Sequence, residues 1–208
     1  MVKARKGERY NNYDNSDDAG DIAKIEEGIE ENLLGELIDG RVLVKVGMEE
    51  LSRRGYGYRE ESSKNYYLYM YEALYLLYNN KMSVIKGDRE LTFDELVDGA
   101  LEYDATALTK FLVYRDLRSR GYVAREGFGF NDDFRVYERG EYGTKPARYI
   151  VTALNEGREI KIDNLSSMVE QISTMGKEPI IAVIERRGEV IYYKVGKMHF
   201  SDRGKVNT

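Results

Sequence analysis

Chemistry in this chain has few places to start. It has no cysteine and a single histidine, His199. That excludes a thiol nucleophile, a cysteine-rich zinc or iron–sulfur site and a disulfide scaffold, and it rests all imidazole chemistry on one residue. Tyrosine is abundant, with 18 residues, but tyrosine and lysine titrate near ~10 when unperturbed and shuttle protons poorly at neutral pH. Leu68, Tyr71, Leu74, Tyr75 and Tyr78 recur at three- and four-residue steps. Aromatic faces can stack unpaired bases, yet that spacing points first to one packed face of a helix. Charge is uneven: the first 105 residues sum to −9 and the remainder to +4. Only the second half suits a polyanion.

Those residues must be carried by a soluble globular chain. Across 208 residues, 42% are hydrophobic and 33% charged, which is too apolar for wholesale disorder and too charged for a membrane protein. No run approaches ~18 apolar residues and the N-terminus is polar, so no membrane partner is expected and the cytoplasm is the expected compartment. Residues 1–32, centred on Asn11-Asn12-Tyr13-Asp14-Asn15-Ser16-Asp17-Asp18, read as an acidic, polar, flexible arm.

Residues 33–103 read as a small mixed α/β domain. Asp39-Gly40 between Glu36-Leu37-Ile38 and Arg41-Val42-Leu43-Val44 predicts a hairpin with a type I′ turn. Met48 to Arg54 predicts a short helix closed by Gly55, and Asn65 to Tyr78 a longer one. Thr92 with Glu95 three residues on predicts a capping box at the head of a third helix. Residues 104–200 read as α-β-β-β-α-β-β: a helix over Asp104–Arg120, strands near 122–125, 134–137 and 149–154, a helix near 164–175, then strands near 180–185 and 190–195. Ile180-Ile181-Ala182-Val183-Ile184 reads as a central strand buried on both faces, and Val190–Val195 as an edge strand able to pair with another chain. The fold class is thus α/β (α+β).

Several linked stretches resemble one family. Tyr114-Arg115-Asp116-Leu117-Arg118-Ser119-Arg120-Gly121-Tyr122, then Gly127-Phe128-Gly129-Phe130 and Asp133-Phe134-Arg135-Val136-Tyr137, are similar to the C-terminal domain of archaeal-type tRNA-splicing endonucleases. So is the ending, Lys177, Ile181-Ala182-Val183-Ile184-Glu185, Gly188-Glu189 and Ile191-Tyr192-Tyr193. In the first half, Leu51-Ser52-Arg53-Arg54-Gly55-Tyr56-Gly57 and Glu72-Ala73-Leu74-Tyr75-Leu76-Leu77 resemble the family too. The resemblance spans about residues 36 to 196, and it makes the second half nuclease-like.

The resemblance implies cleavage of precursor tRNA at bulged intron–exon junctions, without metal or other cofactor, leaving a 2′,3′-cyclic phosphate and a 5′-hydroxyl. Such chemistry needs a base, an acid and a cation beside the phosphorane, for which the family uses tyrosine, histidine and lysine. Tyr137 and Lys177 match the family tyrosine and lysine, but Pro146 stands where the histidine belongs. Glu170 stands where active members carry an arginine that grips a bulged base. Proline has no proton to give, so Tyr137 and Lys177 are expected to be vestigial. The resemblance further implies a hetero-oligomer with a catalytic partner subunit. There the loop Glu185-Arg186-Arg187-Gly188-Glu189 would dock through Glu185 and Glu189. The alternatives are a weakened but self-sufficient endonuclease using water, Lys145 or Tyr142 as acid, and a non-cleaving RNA-binding or assembly protein.

Overall fold

The computed structural model describes residues 33–127 and 133–198. The expected arm over 1–32, the Phe128-Gly129-Phe130 part of the family motif and His199 lie outside them. Two mixed sheets carry the chain. The first pairs its strands in the order Tyr58–Arg59, Tyr66–Leu68, Arg41–Val46, Leu33–Ile38, Met82–Lys86, Arg89–Glu90, and the second in the order Val190–Lys194, Glu178–Ile184, Tyr149–Asn155, Asp133–Tyr137, Val123–Glu126.

The first sheet begins with β1 (Leu33–Ile38) and β2 (Arg41–Val46), joined as the Asp-Gly signal predicts. Asp39 at φ 47 and Gly40 at φ 72 give the type I′ turn its two positive φ angles. Then follow α1 (Met48–Arg53), β3 (Tyr58–Arg59), β4 (Tyr66–Leu68), α2 (Met70–Tyr78), β5 (Met82–Lys86), β6 (Arg89–Glu90) and α3 (Phe93–Tyr103). The Thr92 cap is present: its hydroxyl accepts the Glu95 amide at 3.3 Å, and the Glu95 carboxylate accepts the Thr92 amide at 2.9 Å. The Thr92 amide first, then the Arg89 guanidinium and the Thr92 hydroxyl, hold the Glu95 carboxyl down at about 2.

The helix expected from Asn65 is corrected. Tyr66–Leu68 is a strand between β3 and β2, pairing Leu68 with Val42 and Tyr67 with both Leu43 and Tyr58. All three of its residues are buried, so two strand neighbours override a helical spacing. The helix itself starts at Met70; Tyr71, Leu74 and Tyr75 of its stripe are buried, while Tyr78 at its end is exposed. Tyr71 and Tyr75 meet Tyr114 with ring centroids 5.0 and 5.5 Å apart.

The second half follows the expected order: α4 (Ala107–Ser119), β7 (Val123–Glu126), β8 (Asp133–Tyr137), β9 (Tyr149–Asn155), α5 (Ile162–Thr174), β10 (Glu178–Ile184) and β11 (Val190–Lys194). β9 and β10 run parallel through α5, and the other pairings are antiparallel. Alternation assigns the two sheet faces. Val151, Ala153, Ala182 and Ile184 join Phe111, Tyr114 and Leu117 of α4, while Ile150, Leu154 and Ile181 join Met168 and Ile172 of α5. β10 is therefore interior and covered on both faces, but Ile180 and Val183 are only half-buried because just one strand, β11, separates them from the edge. The α4-side core continues without a break into the first sheet. Among the described residues no helix is long and apolar enough to cross a membrane.

Candidate active-site edge

Antiparallel β8 ends where parallel β9 and β10 begin, so the topology gathers Tyr137, Pro146 and Lys177 at one edge of the second sheet. Tyr137 closes β8, paired with Val123 of β7. Its ring meets Tyr142 edge-on at 5.0 Å. Lys177 sits between α5 and β10, where a Schellman motif fixes the turn: the Gly176 amide donates to Ser173 O at 2.9 Å and the Lys177 amide to Ile172 O at 3.2 Å. Gly176 supplies the left-handed φ of 69 that this motif requires.

The Lys177 ammonium donates to the backbone carbonyl of Ala147 at 2.7 Å. It thereby ties β10's entry to the loop that carries Pro146, which is exposed one residue earlier. The carbonyl it holds belongs to a buried residue, Ala147.

A charged network that local sequence did not reveal frames this edge. Arg148 donates to Glu138 at 2.8 Å and to Glu178 at 2.9 Å, and Lys194 pairs with Glu178 at 2.6 Å. The Tyr149 hydroxyl donates to Glu138 at 2.6 Å, and that bond pushes the phenol up to about 12. Lys194 first, and then Arg148, hold the Glu178 carboxyl below its ordinary value. Glu138 follows Tyr137 and Glu178 follows Lys177 in the chain, which is the one signal that could have marked them. The network joins the ends of β8, β9, β10 and β11.

The residues considered as a substitute acid both have partners, Tyr142 against Tyr137 itself. Lys145 pairs with Glu141 at 2.5 Å. Tyr142 leans on the first half of the molecule. A Cβ built on Gly55, whose φ is 76, would stand 2.9 Å from the Tyr142 Cζ and 2.7 Å from Val123. Only glycine fits there. Glu170 is exposed on α5 and pairs with Lys197 at 3.2 Å.

Glu185 and Glu189 lie at the opposite end of β10. The Glu185 amide donates to Glu189 O at 2.9 Å and the Gly188 amide to Glu185 O at 2.8 Å, closing a tight turn. Arg186 and Arg187 are exposed at its tip, with the Arg186 guanidinium 3.4 Å from Glu156. The seven residues of β10 separate this turn from Lys177, roughly 23 Å at strand rise. Among the described residues, no cluster of three or more His, Cys, Asp or Glu side chains could hold a metal ion.

Residues 33–97 match the tRNA intron endonuclease N-terminal domain, and residues 107–192 the tRNA intron endonuclease catalytic C-terminal domain. The tRNA-splicing endonuclease of Methanococcus maripaludis is 34% identical over 163 residues, covering 77% of this chain and 91% of that protein. That of Pyrococcus furiosus is 32% identical, with 68% and 81% covered. That of Methanothermobacter thermautotrophicus is also 32% identical, with 77% and 95% covered.

Proposed function

Since the chain belongs to the tRNA intron endonuclease family, we propose that it serves precursor-tRNA splicing as the non-catalytic, structural subunit of a heteromeric endonuclease. Its catalytic partner supplies the tyrosine, histidine and lysine. In the reaction assigned to that partner, the 2′-hydroxyl oxygen attacks the adjacent phosphorus and the bond to the 5′-oxygen breaks. A base takes the 2′ proton and an acid gives one to the departing oxygen, leaving a 2′,3′-cyclic phosphate and a 5′-hydroxyl. No metal takes part.

The observation that carries the reading is the state of this chain's own edge. Proline occupies position 146, the Lys177 ammonium is committed to the Ala147 carbonyl, and Arg148 is clasped by two carboxylates. Tyr149, held at about 12, donates no proton readily near neutral pH. An edge arranged this way braces a fold.

Geometry also favours an assembly. The Glu185–Glu189 turn lies roughly 23 Å from Lys177 along β10, so a molecule cannot bring its own turn to its own edge, and the turn would dock on a partner. β11 is the last strand of its sheet, and its exposed Tyr193 lies beside an open row of backbone donors and acceptors. We assign the subunit contacts to these two features.

The test is cleavage of a bulge-helix-bulge RNA. The purified chain leaves it intact, and adding a histidine-bearing partner subunit restores cutting. Specific cleavage by the lone chain at neutral pH, abolished by Tyr137→Phe, would overturn the proposal.

A further inference from the structure

One acidic group has no place in this account. Glu72, in the first turn of α2, is fully buried. Its Oε2 accepts the amides of Gly57 at 2.9 Å and Tyr69 at 3.0 Å, while Oε1 meets no hydrogen-bond partner among the described residues. It lies where the two halves of the molecule are packed together. From α4 it faces Arg118 and Tyr114, from β7 Arg125, from β4 Tyr66, from the residue before α2 Tyr69, and from its own helix Tyr71. The seam around it is tight. Arg118 donates through both terminal nitrogens to the Arg54 carbonyl at 3.2 Å and lies 3.9 Å over the Tyr56 ring. The Tyr71 hydroxyl reaches Glu126 at 2.7 Å.

We propose that Glu72 is a proton-controlled element of this seam: the carboxyl is neutral in the most stable packing, and releasing its proton loosens the join between the two halves. An ionised oxygen with no donor costs more in a buried site than a neutral O–H with no acceptor, and the neutral carboxyl still accepts both backbone amides through Oε2. The cage sets the range of the response. Burial pushes Glu72 up to about 7, against the opposing pull of Arg125. Burial also raises Tyr69 to about 12, and Tyr71 and Tyr114 well above their ordinary value. The two arginines remain charged. Glu72 is then the member of the cage whose charge changes near neutral pH.

The sign follows from proton linkage. A carboxyl raised in the folded state binds more protons folded than unfolded, between the ordinary carboxylate value and about 7. Its stabilising contribution is complete below the ordinary value and is lost as pH rises through the raised one.

The experiment follows the Gly57 and Tyr69 amide protons by NMR from pH 5 to 8.5, and the Tm of the full chain over the same range, beside Glu72→Gln. Glutamine keeps the acceptor and removes the titration. Both amide shifts should move together with a midpoint near 7 and stay flat in the variant. The wild-type Tm should fall by about 5 °C relative to the variant's between pH 5 and 8. Flat amide shifts in the wild type, or a midpoint in the ordinary carboxylate range, would overturn the proposal even if Glu72→Gln fails to fold.

Discussion

Two charged clusters built from the same residue types behave in opposite ways. At the open edge of the second sheet, Glu138, Arg148, Glu178 and Lys194 answer one another charge for charge, and solvent reaches all of them. In the seam, Arg118 is 2% exposed and Glu72 0%, and each is held chiefly by uncharged groups: the Arg54 carbonyl and Tyr114 hydroxyl for one, two backbone amides for the other. Paired charges in water stay ionised and contribute little stability each. Buried charges held by neutral dipoles are costly to disturb. The edge, where the family would place proton transfer, is therefore electrostatically quiet. The responsive groups sit in the seam.

Substitutions can break or sharpen that contrast. Arg118→Ala should have the largest effect. It opens a cavity beside Tyr56 and Tyr114 and removes both hydrogen bonds to the Arg54 carbonyl, costing about 3–4 kcal/mol in urea unfolding. A loss below about 1 kcal/mol would place Arg118 with the surface pairs and dissolve the distinction. Lys177→Met comes next. Losing the bond to the Ala147 carbonyl should cost about 1–2 kcal/mol by thermal unfolding and leave RNA cleavage by the assembled complex unchanged. A large drop in the complex's cleavage rate with no change in Tm would return Lys177 to the chemistry. Arg148→Ala should be the mildest, a small loss of stability in low salt and a smaller one in high salt. Its partner Glu178 has a lowered carboxyl, so the contribution is present above the ordinary carboxylate value and is lost as pH falls through the lowered one. Stability curves of wild type and variant should converge in acid. Divergence there would show that Arg148 acts through something other than its charge.

What the sequence disclosed was local. The Asp39-Gly40 turn, the Thr92–Glu95 box and the α-β-β-β-α-β-β order each rest on neighbours a few residues apart, and each stands in the fold. β4 and β5 escaped because their strand character comes from distant pairing: Leu68 with Val42, and Val84 with Gly35. The same reason hid the edge. Arg148 reaches Glu138 across 10 positions and Glu178 across 30, a join made only when β9 and β10 lie parallel. Glu72 was visible as an acid within the apolar run Met70 to Leu77, but its isolation needed Gly57, Arg118 and Arg125 folded around it.

The packed tyrosines have an optical consequence. Tyr58, Tyr69, Tyr71 and Tyr114 form a chain of rings with successive centroids 4.8, 5.5 and 5.0 Å apart, in a polypeptide without tryptophan. Excitation absorbed by one phenol can hop to the next, and the ultraviolet emission of this protein is that of tyrosine alone. Any indole fluorescence seen when it is bound to another macromolecule therefore reports on the companion, with no background from this side.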